Sequence, residues 1–60
     1  MDRDFYESMM NEAAHTLQGF YGRLYNRYLN AEEEQKKAFC DDLAEHNVES
    51  LLDFVMYVEG

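Results

Sequence analysis

No proline occurs anywhere in this 60-residue chain, and its apolar residues return at intervals of three and four. Proline is the strongest helix breaker, and a period near 3.6 marks an amphipathic helix, so the pattern restricts the chain to helices. From Phe5 to Leu29 one stripe takes in Tyr6, Met10, Ala13, Ala14, Leu17, Phe20, Tyr21, Leu24 and Tyr28. Asp2, Asp4 and Glu7 near its start, and Arg23 and Arg27 near its end, complement the helix dipole. The spacing predicts one long helix reaching residue 29. Gly19 and Gly22 are its weak points, each costing about 1 kcal/mol relative to alanine in a helix interior. Both project away from the apolar stripe and read as solvent-side positions or a mild kink.

Asn30, with Glu33 three positions on, has the form of an N-cap and its capping-box partner. A second helix from about residue 31 to 46 is therefore expected, folded back antiparallel on the first. Its apolar side is thin: Phe39, Cys40 and Leu43, supported by the stem of Lys36. The segment His46-Asn47-Val48-Glu49-Ser50 allows two readings. A helix running straight through would strand Leu52 and Met56 among acids. A break with Asn47 as the cap of a third helix instead gives a stripe of Val48, Leu51, Leu52, Val55 and Val58, and is preferred. The run Phe54–Val58 suits a strand on propensity, but no second strand candidate exists to pair with it.

The expected architecture is all-α, a small three-helix bundle or a helical hairpin with a short third helix, in a single acidic domain over 1–60. Its expected core is Met10, Leu17, Phe20, Leu24, Phe39, Leu43, Leu51, Leu52 and Val55. A chain this short buries only about 60% of its unfolded surface. With 15% aromatic residues to cover, it is expected to self-associate as a homodimer. Cys40 is the only cysteine, so no internal disulfide helps. The lone thiol and the acidic start Met1-Asp2-Arg3-Asp4 suggest a soluble, cytoplasmic protein. The longest apolar run, Phe54–Val58, is too short to span a bilayer.

Few residues suggest chemistry. Glu12-x-x-His15 has the spacing of a di-iron ligand pair, but it lies opposite Met10, Leu17 and Leu24, whereas bundle metal sites face inward. No metal or other cofactor is expected. Cys40 with His15 or His46 lacks a glycine-rich oxyanion loop, and Gly19-Phe20-Tyr21-Gly22 has no lysine at a phosphate-loop offset. The chain reads as a non-enzyme.

Charge carries the functional reading. Residues 1–30 hold four acids against three arginines, and residues 31–60 hold nine acids against Lys36 and Lys37, which places −7 of the net −8 in the second half. Such a surface repels nucleic acid and anionic membrane and attracts basic protein. A helical wheel clusters Glu34, Asp41, Asp42 and Glu45 opposite Phe39 and Leu43, with Lys36 and Lys37 pointing elsewhere. Glu49 and Asp53 extend the field. These six residues are the expected partner-binding site. Tyr21, Tyr25 and Tyr28, beside Arg23 and Arg27, form a secondary interface candidate, since tyrosine and arginine are enriched at binding hot spots. In size and charge, though by no motif, the chain resembles the small inhibitors that phages and mobile elements direct at host nucleic-acid-binding or defence proteins. The expectation is an acidic inhibitor that mimics nucleic acid; the alternative is a self-associating structural bundle with no separate target.

Overall fold

Four α-helices build the chain in the computed structural model, which describes residues 3–60: α1 (Arg3–Thr16), α2 (Phe20–Leu29), α3 (Glu33–Glu45) and α4 (Leu51–Glu59). The all-α reading holds, with 79% of the described residues helical and no strand among them. The expected role of Asp2 at the helix start lies outside the described residues. Helices α2, α3 and α4 each pack on α1. Tyr28, near the end of α2, reaches Glu7, near the start of α1, so these two helices run antiparallel.

The long first helix is in fact two. The Leu17 N–H still bonds Ala13 O at 2.8 Å, but Gln18 and Gly19 then take φ of 55° and 52° and the chain turns. Left-handed backbone is open to glycine without steric cost, so Gly19 marks a corner and not a solvent-side helix position. The corner resets the helical phase. In α1 the buried stripe is Tyr6, Met9, Met10 and Ala13; in α2 it is Tyr21 and Tyr28. Leu17 and Phe20, expected in the core, lie at and just beyond the corner and are 45% and 51% exposed.

Asn30 closes α2 and does not open α3. Its N–H returns to Asn26 O at 3.1 Å and its side-chain amide donates to the same oxygen at 2.9 Å. Helix α3 starts after Glu32, whose N–H donates to the Gln35 side chain at 3.3 Å. The capping box is therefore shifted two residues from the expected pair Asn30 and Glu33.

The break at Asn47 is present, but Asn47 terminates α3 and does not cap α4. It adopts φ 58°, its N–H bonds Ala44 O at 3.1 Å, and the Val48 N–H bonds Leu43 O at 3.0 Å. That is a Schellman ending, completed by the apolar contact it usually carries: Leu43 and Val48 are 0% and 1% exposed. Ser50 caps α4, its hydroxyl accepting the Asp53 N–H at 3.1 Å. Because α4 starts at residue 51, its inward centre is Phe54, 1% exposed. Leu52 lies two residues away, at about 100° per residue, and so faces outward. It is 67% exposed and Met56 is 62%, which corrects the expectation that the break would bury Leu52.

Of the nine expected core residues, Met10 and Leu43 are fully buried, while Leu24, Phe39, Leu51 and Val55 pack at the core's edge. Tyr6, Met9, Ala13, Tyr21, Tyr28, Cys40, Val48 and Phe54 fill the centre instead.

Candidate protein-binding surface

The outward side of α3 follows from its inward one. Leu43 and Cys40 are buried and Phe39 is half-buried, so residues on the opposite arc are driven to the surface. Glu34, Asp41 and Glu45 occupy that arc and are exposed, and Glu49 in the following loop is exposed as well. Among the described residues Glu34, Glu45 and Glu49 make no side-chain ion pair or hydrogen bond, so their charge faces water.

Three of the expected site residues differ from their sequence reading. Lys37 does not point elsewhere: its Nζ contacts Asp41 Oδ2 at 2.7 Å, and this carboxylate holds the Lys37 ammonium above its ordinary range. Asp41 is therefore partly neutralised within its own helix. Asp42 turns toward α4, where it accepts a hydrogen bond from the Tyr57 hydroxyl. Asp53 accepts the Glu49 N–H at 3.2 Å while its own N–H is capped by Ser50, so it reinforces the start of α4. Lys36, by contrast, keeps to the core side. Its ammonium lies 5.7 Å from the Tyr28 ring centre and 3.8 Å from Glu33.

The tyrosines use acids in a way the sequence did not reveal. Tyr28 donates to Glu7 Oε2 at 2.6 Å, joining α2 to α1. Tyr21 donates to Glu59 Oε2 at 2.7 Å, joining α2 to α4, and Tyr57 joins α4 to α3 through Asp42. Arg3 closes the circuit from α1 to α3 with a bidentate contact to Glu33, at 2.5 and 3.2 Å, and a further bond to Glu7 at 2.8 Å. All four helices are thus tied by hydrogen bonds to carboxylates. Burial, then the bond to Glu7, pushes the Tyr28 hydroxyl up; burial, then Glu59, does the same to Tyr21. The bond to Asp42 pushes Tyr57 up to about 12. Glu7 is held below its ordinary 4.5, first by Tyr28 and then by Arg3. Tyr21 and Tyr28, 9% and 5% exposed, are core residues and leave little surface for a partner; Tyr25 is half-buried.

With Arg3, Lys36 and Lys37 engaged, Arg23 and Arg27 remain. Both are exposed on the side of α2 opposite Tyr21 and Tyr28, and neither makes an ion pair among the described residues. In the sequence they read as complements to the helix dipole, which hid their isolation.

Elsewhere the side chains are dispersed. Glu12 and His15 are exposed, and His15 Nδ1 lies 3.0 Å from Asn11 O. Cys40 is buried with its Sγ 3.6 Å from the Tyr28 hydroxyl. Among the described residues no three histidine, cysteine, aspartate or glutamate side chains converge into a metal-holding group, and no helix is long and apolar enough to cross a membrane. Comparison with protein-family models, with curated proteins and with solved structures gives no match.

Proposed function

We propose that the protein is a small acidic binding module, an inhibitor that docks the outward side of α3 on a basic surface of another protein. The observation that carries this reading is the row Glu34, Asp41 and Glu45, exposed opposite the buried Leu43 and continued by Glu49. Lys37 pairs with Asp41 alone, and no lysine or arginine occurs from residue 38 to 60 to neutralise the others. Along α3 these charges stand roughly 10 and 6 Å apart at about 1.5 Å rise per residue. A row of fixed negative charges on a rigid rod offers lysine and arginine side chains what a nucleic-acid backbone offers them. A surface that normally holds DNA or RNA is therefore the fitting target. A host or defence protein of the reducing cytoplasm, where the Cys40 thiol stays unoxidised, fits this reading.

The structure also sets the test. Asp42 and Asp53 hold α4 in place, so their reversal would confound loss of binding with loss of fold. Reversal to lysine at Glu34, Asp41, Glu45 and Glu49 changes exposed side chains only. The wild-type protein, immobilised at low salt, should capture a basic protein from its host's extract that the fourfold variant fails to capture, with unchanged circular dichroism. Rising salt should slow association more than it speeds dissociation, and DNA or RNA should compete for the partner. A captured complex that survives the four reversals would place recognition elsewhere on the molecule.

A further inference from the structure

Two stripes of this molecule face outward although their composition suits an interface. On α2, about 100° per residue turns Phe20, Arg23 and Arg27 away from the buried Tyr21 and Tyr28, with the half-buried Leu24 at the inner edge of that arc. Phe20 is 51% exposed, and both arginines lack an ion pair among the described residues in a chain with 13 acids. On α4, Leu52 and Met56 are 67% and 62% exposed, opposite Phe54, and beside them stand Asp53 and Glu59, each of which accepts one bond within its own chain and keeps acceptor positions for a cation. The first stripe thus presents Phe20 edged by two cations, with Leu24 half-buried beside it, and the second presents Leu52 and Met56 edged by anions.

We infer that these stripes are the two halves of one contact, in which α2 of one copy of the chain packs on α4 of a second copy. Charge decides the pairing. Either stripe set against itself would place arginine opposite arginine, or acid opposite acid, a juxtaposition that like-charge repulsion disfavours in an interface. Set against each other, Arg23 and Arg27 gain carboxylate partners that their own chain does not supply. The exposed Phe20 meets Leu52 and Met56, and the half-buried Leu24 adds only the edge of its side chain to the contact. The outward side of α3 takes no part, so the contact is independent of the proposed docking function and leaves that acidic row accessible.

Complementary lesions test the pairing. Arg23→Glu with Arg27→Glu damages only the α2 stripe; Leu52→Glu with Met56→Glu damages only the α4 stripe. The wild-type chain should associate with rising concentration in sedimentation equilibrium, and each double variant alone should associate at least about tenfold more weakly. An equimolar mixture of the two variants should form a one-to-one heterodimer in native mass spectrometry, because one intact α2 then meets one intact α4. A wild-type chain still monomeric at millimolar concentration, a variant that associates undiminished, or a mixture that forms no heterodimer would each overturn the inference. A readout on the unaltered chain guards against misfolded variants. Its concentration-dependent amide shifts should fall on the α2 and α4 stripes, and shifts centred on α3 would overturn the pairing.

Discussion

Replacing Tyr28 by phenylalanine removes one oxygen and keeps the ring, which deletes the hydroxyl's bond to Glu7 and its weaker contact with Cys40 Sγ at 3.6 Å. Tyr28 is 5% exposed and its hydroxyl meets Glu7 Oε2 at 2.6 Å, in the range for a bond to an ionised carboxylate. Such bonds contribute about 1.5–3 kcal/mol. Glu7 keeps Arg3 at 2.8 Å, and its side chain is 31% exposed, so water replaces part of what is lost. A cost of about 1–2 kcal/mol is expected, toward the lower end of that range. For a domain this small each kcal/mol moves the melting temperature by about 4–8 °C. The pH dependence is the sharper check. Glu7 is held below its ordinary 4.5, with Tyr28 as the largest cause. A depressed carboxylate contributes stability that is present above its unfolded pKa and is lost as pH falls through the folded one. The gap between wild type and Tyr28→Phe, measured by thermal melts followed by circular dichroism, should therefore be full near neutrality and shrink below pH 4.5. Carbon-detected titration of Glu7 should show its pKa rising toward the ordinary value in the variant. An unchanged melting temperature, or a gap that persists undiminished in acid, would refute the reasoning.

The alkaline limb has the opposite sign. Tyr21, Tyr28 and Tyr57 are raised above 10.0, so the stability they lend is whole below that pH and drains as pH rises, through about 12 for Tyr57; tyrosinate absorbance and loss of helical dichroism should therefore rise together above pH 10. Gly22→Ala should stabilise by about 0.5–1 kcal/mol in urea denaturation, since Gly22 lies inside α2 and an added methyl meets nothing within 4 Å. Gly19→Ala should destabilise despite equal room, because φ there is 52°. Leu43→Ala, at 0% exposure, should cost about 2–5 kcal/mol, whereas Leu52→Ala, at 67%, should leave monomer stability within about 0.5 kcal/mol.

The helical class was legible because it is local: apolar spacing and the absence of proline act within a few residues. The position of the break at Asn47 was legible but not its cause: burial of Leu52, which favours a break in the sequence, does not occur, and the left-handed Asn47 ends α3 instead of capping α4. The corner at Gln18 and Gly19 was equally local, but glycine carries two meanings, helix interior at a cost or left-handed turn at none. Only packing on α1 selects the second. The phase beyond the corner then shifted: Phe20, expected in the core, turned outward, and Tyr21 and Tyr28 took the centre of the buried side with Leu24 at its edge. The outward row on α3 was legible because no corner interrupts that helix, and the inward turn of Asp42 was missed because it answers to Tyr57, 15 residues on.

The tyrosine pairs change what the acidic composition means. Glu7, Asp42 and Glu59 are acceptors for hydroxyls 21, 15 and 38 residues away in sequence, a relation no helical wheel displays. A carboxylate used this way must stay charged, so a chain joined by such bonds accumulates negative charge for reasons of stability alone. Self-repulsion then adds to their cost, and pairing with the buried Tyr28 and Tyr21 and the half-buried Tyr57 offsets it. The same logic separates the acids by the consequence of losing them. Neutralising Glu7 or Asp42 removes a link between helices and should lower stability. Neutralising Glu45 or Glu49 removes only repulsion and should leave the fold unchanged or firmer, whereas Glu34, in the first turn of α3, also complements the helix dipole. Acids whose charge is directed outward lie along one side of α3 and the loop that follows it, and the exposed Asp4 and Glu12 place two more on α1.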